Sequence, residues 1–191
     1  MELIGPYLVA CALLLMAGLM KLFRPASTAR ALAPMVPDRL RRPLQFRFLR
    51  PLIRIGALAE AIIGAVGIFV PGPVPATLVA ASFGVFAGVV VYVRSQGGAL
   101  ASCGCFGTPD TPATRLHVVI NVGLALSAMA VAIDAPGGGS IITVLGGQPL
   151  FGIPLLAASA LCIWLAYLAF STLAQLHAAR RLAGSATGRW R

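Results

Sequence analysis

Two cysteines one residue apart carry the most distinctive chemistry in this sequence. Cys103 and Cys105 stand in the stretch Ser-Cys-Gly-Cys-Phe-Gly, between two apolar runs and flanked by Arg94 and Arg115. Nearby positive charge favours the thiolate, which is the reactive form of cysteine. Because Gly104 lets the chain turn, the two Cα atoms can approach to about 5.5–7 Å, within reach of a disulfide. Such a tight ring is strained and therefore exchangeable, so the pair is predicted to be a redox dithiol.

Two other interpretations of the cysteine pair stay open. A metal site would need four ligands, and only His117 is near enough in sequence to add a third. A structural clip is the second alternative, although closing so short a loop stabilises a fold little. The remaining cysteines, Cys11 and Cys162, lie in the middle of apolar runs, where a thiol is most simply a small apolar side chain. We therefore assign no chemistry to these two cysteines, and no residue of the chain is assigned as a metal ligand.

Membrane helices are the elements that must position the cysteine pair. Of the 191 residues, 59% are hydrophobic and only 10% are charged, whereas a soluble domain carries about 25% charged residues. Apolar runs of about 17 to 25 residues identify membrane-spanning helices, and five such runs occur, at 4–23, 55–70, 76–93, 116–133 and 151–176. The predicted fold is all-α, a polytopic membrane helix bundle of four core helices and a fifth transmembrane helix.

The basic residues determine the predicted orientation of this bundle. The chain has 15 Lys and Arg against 5 Asp and Glu. With five helices, every basic residue falls on one side, in the Arg-rich loop 24–54, around the Cys loop 94–115, in the C-terminal tail, or at Lys21. The positive-inside rule places that side in the cytoplasm and the N-terminus outside the cell (plasma) membrane. The net charge of +10 is thereby explained by topology and attraction to anionic lipid, and nucleic-acid binding is not expected.

Two polar residues inside the apolar runs need partners. Glu60 is the only carboxylate within a run, and burying it ionised costs at least a few kcal/mol unless it is paired or protonated. Lys21, at the end of the first run, and Arg115, at the start of the fourth, are the predicted partners. Asn121 lies at a depth similar to that of Glu60. Glu60 is either a functional group or a residue that holds two helices together by hydrogen bonds. For Asn121, a structural hydrogen bond between helices is the favoured interpretation.

Glycines spaced by four predict where helices approach closely. Gly84 and Gly88 lie on the third run, and Gly56, Glu60 and Gly64 lie on the second. Small residues at such spacing create flat strips on membrane helices. We expect the second and third runs to pack tightly and to turn Glu60 inward.

The cysteine stretch, the ending Ala-Gly-Leu-Met-Lys-Leu-Phe-Arg-Pro of the first helix and the inward glutamate of the second together resemble the methylamine utilisation protein MauE family and its DoxX-like relatives. The resemblance covers roughly residues 10–133. It implies a membrane redox-associated protein that forms or relays disulfides in partner proteins, often beside a thioredoxin-like protein, and it does not decide whether the chain is an enzyme. The site residues that it implies are Lys21, Glu60, Cys103, Cys105, Phe106, Gly107 and Asn121.

The resulting division of the chain is a four-helix core at 1–133, followed at 134–191 by an extracytoplasmic loop, the fifth helix and a basic cytoplasmic tail. In the predicted reaction, Cys103 or Cys105 exchanges with a partner's thiol or disulfide. Lys21 or Arg115 stabilises the thiolate and Glu60 accepts the proton, while Phe106, Gly107, Arg115 and Asn121 are assigned to binding. A quinone is the candidate electron acceptor, although no residue pattern identifies a site for it. The alternative function is that of a non-catalytic subunit of a larger membrane complex with a structural cysteine pair.

Overall fold

The fold is described by a computed structural model for residues 4–32, 44–95, 115–134 and 149–168. These residues form helices and short connections, with no β-strand in the described ranges. The helices are α1 (Ile4–Phe23), α2 (Pro25–Leu32), α3 (Leu44–Phe69), α4 (Pro73–Ser95), α5 (Arg115–Asp134) and α6 (Pro149–Leu168). The predicted all-helical fold is confirmed.

Four of the described helices contain segments that are long and apolar enough to cross a membrane. The segments are Ile4–Phe23, Leu49–Phe69, Pro73–Tyr92 and Arg115–Asp134, and each overlaps one of the first four predicted runs. A multi-pass membrane protein is therefore confirmed. The 20-residue helix α6 begins where the fifth run was predicted, and its role as a fifth transmembrane helix stays a prediction.

The first helix lies at the centre of the bundle. Eleven of the 20 residues of α1 are buried, and this helix packs against α3, α5 and α6. Its N-terminal half, including Tyr7 and Leu14, shares one apolar core with the first turns of α4 and the last turns of α5. Large apolar side chains on the outer helices are exposed, as at Ile62 and Val85. Such side chains face lipid in a membrane, so the centre and the outer surface of the bundle are both apolar.

Backbone contact between α1 and α3 depends on two glycines. A Cβ atom added to Gly18 would lie 2.6 Å from the backbone nitrogen of Ala61, and one added to Gly64 would lie 2.6 Å from the backbone nitrogen of Leu15. Real Cβ atoms essentially never come so close to another heavy atom, so any larger residue would force the helices apart. These two positions hold α3 directly against the central helix.

The prediction that glycines pack the second transmembrane segment tightly against the third is wrong. Cβ atoms added to Gly56, Gly84 or Gly88 would meet nothing within 4 Å, so these glycines mediate no close helix contact in the described structure. Gly64 does pack closely, but against α1. The physical reason is that a small residue permits a close approach without choosing the partner helix.

The second transmembrane helix begins earlier than its apolar run predicts. α3 starts at Leu44 and includes Pro51, while α2 occupies residues 25–32 of the segment predicted as an Arg-rich loop. Arg50 and Arg54 consequently lie on helical turns and are exposed. At the other end of α3, a short turn leads into α4, where Pro73 occupies the first helical position, which tolerates the missing N–H of proline.

Candidate functional site

A partly buried ion pair joins the central helix to α3. The ammonium nitrogen Nζ of Lys21 donates hydrogen bonds to both carboxylate oxygens of Glu60, at 2.9 Å to Oε1 and 2.7 Å to Oε2. The side chains are only 8% and 18% exposed, respectively. Charge-assisted hydrogen bonds of this length are the strong class. Of the two cations predicted as partners, Lys21 is therefore the one placed on Glu60, and Arg115 is exposed at the start of α5.

An aromatic ring completes the surroundings of the ammonium group. Nζ of Lys21 lies 4.3 Å from the centroid of the Phe86 ring, which is within the range of a cation–π interaction. Phe86 in turn packs edge to face against Phe83, with ring centroids 5.8 Å apart. The site thus joins α1, α3 and α4 through a single lysine side chain.

The direction of the Lys21 side chain is unusual for a lysine at the end of a membrane helix. α1 ends at Phe23, only two residues later, and lysines near helix ends normally extend their charge toward the water. In a helix, however, the Cα–Cβ bond tilts toward the N-terminus, which here is the direction of the bundle interior. The close contact at Gly18 brings α3 near enough for Glu60 to receive the ammonium group.

The start of α5 adds two buried polar residues at the same end of the bundle. Ala128 and Val131, late in α5, share the apolar core with the early residues of α1, so α1 and α5 run antiparallel. The first turns of α5 therefore lie level with the end of α1. His117 is 1% exposed and Asn121 is 4% exposed, and their four-residue spacing places both on one helix face.

The hydrogen bond described for Asn121 lies within its own helix. Its Nδ2 donates to the backbone carbonyl oxygen of His117 at 2.8 Å. This contact differs from the predicted bond between helices, because a short amide side chain can reach the carbonyl one turn earlier. Asn121 thus adds a side-chain hydrogen bond to the helical turn that contains His117.

Several predicted site residues lie outside the described structure, namely Cys103, Cys105, Phe106 and Gly107. The segment 96–114 that contains them connects the end of α4 to the start of α5. Both attachment points, Ser95 and Arg115, belong to the end of the bundle that holds the Lys21–Glu60 pair. The cysteine stretch is joined to the described structure through these two residues.

Sequence reasoning missed Phe86 and did not assign His117 to the interior of the bundle. Phe86 is one of nine phenylalanines, and nothing in its local sequence distinguishes it from a lipid-facing residue. For His117, the four-residue spacing to Asn121 is a usable signal, since two polar residues on one face of a membrane helix usually point into the bundle.

The ion pair makes the positions of its side chains depend on each other. Both carboxylate oxygens of Glu60 accept hydrogen bonds from the same ammonium group, so the positions of the two side chains are coupled. When Lys21 moves, the ring of Phe86 loses its cation as well. The arrangement therefore couples the relative positions of α1, α3 and α4 to the position of the Lys21 ammonium group.

Comparison with known proteins gives one family match. A sequence model of the family described as "Methylamine utilisation protein MauE" matches residues 2–134. The matched region contains α1 to α5 and the segment with the cysteine pair, while α6 lies beyond it. No curated protein matches the chain, and no solved structure matches it.

Proposed function

The chain belongs to the methylamine utilisation protein MauE family, and from this membership we propose that it performs thiol–disulfide exchange with a partner protein at the membrane. The reactive groups in this proposal are Cys103 and Cys105. The supporting observation is the inward-pointing Lys21–Glu60 pair at the end of the bundle to which the cysteine segment is tethered. A buried charge pair is an expensive feature that a purely structural bundle does not need.

The exchange transfers two electrons and two protons. A thiolate of the partner attacks one sulfur of the Cys103–Cys105 disulfide, the S–S bond breaks, and the other cysteine leaves as a thiolate. A second thiol of the partner loses its proton and attacks the mixed disulfide. The mixed disulfide breaks and releases the first cysteine, so the partner ends with a disulfide. The two cysteine thiolates of this protein take up the two protons that the partner's thiols lost and become thiols.

Lys21 and Glu60 have complementary roles in this reaction. The ammonium group of Lys21 supplies positive charge near the end of the bundle and favours the thiolate form of the leaving cysteine. Glu60, released from the lysine during that step, accepts or returns the proton. Arg115, exposed at the start of α5, is the second cation close in sequence to the cysteines.

The partner and the electron acceptor are proposed from chemistry alone. A soluble dithiol protein of the thioredoxin-like class is the proposed partner. Reoxidising the cysteine pair releases two electrons and two protons, which a membrane quinone can take up together. No described residue indicates a quinone site, so its involvement stays a prediction. The proposed location is the plasma membrane, with the cysteine segment on the cytoplasmic side.

Mass spectrometry of the purified full-length protein in graded glutathione buffers tests the proposal. Cys103 and Cys105 should interconvert between dithiol and disulfide. The remaining thiol of either single Cys→Ser variant should attack oxidised glutathione, giving a mixed disulfide and releasing reduced glutathione. Glu60→Gln should slow the exchange on the order of 100-fold if the carboxylate transfers the proton. The matched control is Cys162→Ser, which removes an exposed thiol on α6 and should leave the exchange rate unchanged.

An accessory subunit of a larger complex predicts a different set of results. In that case the double variant Cys103→Ser/Cys105→Ser would still assemble with its complex, and no disulfide between the two cysteines would be recovered under mild oxidation. Either a permanent disulfide or permanently free thiols across the whole redox range would overturn the exchange reaction.

A further inference from the structure

The outer face of α3 carries two arginines at the edge of the membrane. Arg50 and Arg54 are both exposed, and they are the second and sixth residues of the membrane-spanning segment Leu49–Phe69. Their spacing places them one above the other on the helix, about 6 Å apart along its axis. Neither makes an ion pair within the described part of the chain, where the carboxylate of Glu60 is bound to Lys21.

An apolar ridge continues from these arginines into the membrane. Leu58 and Ile62 follow at the same four-residue interval, and they are 50% and 53% exposed. Ile62 lies about 12 Å beyond Arg54 along the helix axis. Residues at four-residue intervals form a continuous ridge on a helix surface, so this ridge is cationic at the membrane edge and aliphatic toward the membrane interior.

We propose that the ridge formed by Arg50, Arg54, Leu58 and Ile62 binds an anionic phospholipid. The two guanidinium groups hold the phosphate of the headgroup, to which arginine donates paired hydrogen bonds. One acyl chain then lies along Leu58 and Ile62. A guanidinium inside a membrane segment is costly unless it reaches a partner at the interface, and a lipid phosphate is the anion available at that depth.

The charge distribution favours lipid over an acidic protein as the ligand. An acidic protein approaches from the water and would contact the arginines alone, whereas this ridge presents exposed aliphatic side chains directly beyond the charges. A phospholipid matches both parts, because its phosphate and acyl chain are joined in the same order along the membrane normal.

Binding of defined lipids to the purified full-length protein in detergent tests this site. Native mass spectrometry and thermal unfolding would be measured with phosphatidylglycerol, with phosphatidylcholine and with inorganic phosphate. Phosphatidylglycerol should bind and raise the unfolding temperature more than the other two. The double variant Arg50→Gln/Arg54→Gln should weaken that binding about 30-fold, from the loss of two interfacial charges.

Two further variants separate the ridge from general charge attraction. Arg180→Gln/Arg181→Gln removes the same charge from the C-terminal tail and should leave the affinity unchanged. Leu58→Ala/Ile62→Ala keeps the arginines and should weaken phosphatidylglycerol binding but not phosphate binding. The proposal is overturned if both arginine variants lose the same affinity for phosphatidylglycerol, or if phosphate and phosphatidylglycerol have equal effects. It is also overturned if an acidic protein binds the ridge tightly and no lipid has any effect.

Discussion

The variants Lys21→Met and Glu60→Gln should destabilise the bundle by different amounts. Lys21→Met keeps the length of the side chain but leaves the carboxylate of Glu60 without its cation. Glu60→Gln leaves the ammonium group with an amide oxygen as acceptor and with the ring of Phe86 at 4.3 Å. A ring face attracts a cation and offers nothing to an anion, so Lys21→Met should be the more damaging change.

The expected magnitude follows from the burial of the pair. Removing one partner of a buried pair costs roughly 3–5 kcal/mol. With 18% of the Glu60 side chain exposed, the lower part of that range applies. We therefore expect a loss of about 3 to 4 kcal/mol for Lys21→Met, and at least about 1 kcal/mol less for Glu60→Gln because its cation–π contact remains.

Thermal unfolding in detergent, followed by circular dichroism, measures this difference. For a chain of this size, 3 to 4 kcal/mol corresponds to a decrease in Tm of roughly 6 to 16 °C.

The double variant Lys21→Met/Glu60→Gln completes a double-mutant cycle on this pair. With neither charge buried, it should be more stable than Lys21→Met alone, since a buried pair can often be replaced by neutral residues at little cost. The reasoning is refuted if the two single variants have equal Tm values, or if the second substitution does not rescue Lys21→Met.

Gly18→Ala should destabilise the protein by about 1–3 kcal/mol in the same unfolding measurement, because the added Cβ would press on the backbone of α3. The matched control is Gly84→Ala, because a Cβ at Gly84 meets nothing within 4 Å. This control variant should be as stable as the wild type or slightly more stable. A membrane-impermeant thiol reagent should label reduced Cys103 and Cys105 only after lysis of the cells, as the positive-inside rule requires, and labelling of sealed cells would reverse the proposed orientation. Gly104→Val should raise the fraction of free thiol at a fixed glutathione ratio, with Gly104→Ala intermediate, because a β-branched residue resists the turn that joins the sulfurs; an unchanged thiol fraction in both variants would argue against a Cys103–Cys105 disulfide.

The amino-acid sequence by itself determined the class of the protein and most of its helices. Long apolar runs are readable one segment at a time, since each must satisfy its backbone hydrogen bonds internally within lipid. The run at 4–23 coincides with α1. The same local reasoning identified Glu60 as a group that needs a cation and limited its partners to Lys21 or Arg115.

Only the tertiary structure decided which helices touch and which cation reaches Glu60. In water, the apolar face of a helix reveals which side is buried, but in a membrane the lipid is as apolar as the bundle interior. The sequence therefore could not show that α1 is central, that Gly64 faces α1 while Gly84 faces open space, or that Phe86 lies over Lys21. These facts depend on the fit between segments far apart in the chain, and that fit decides whether Lys21 extends toward water or toward Glu60.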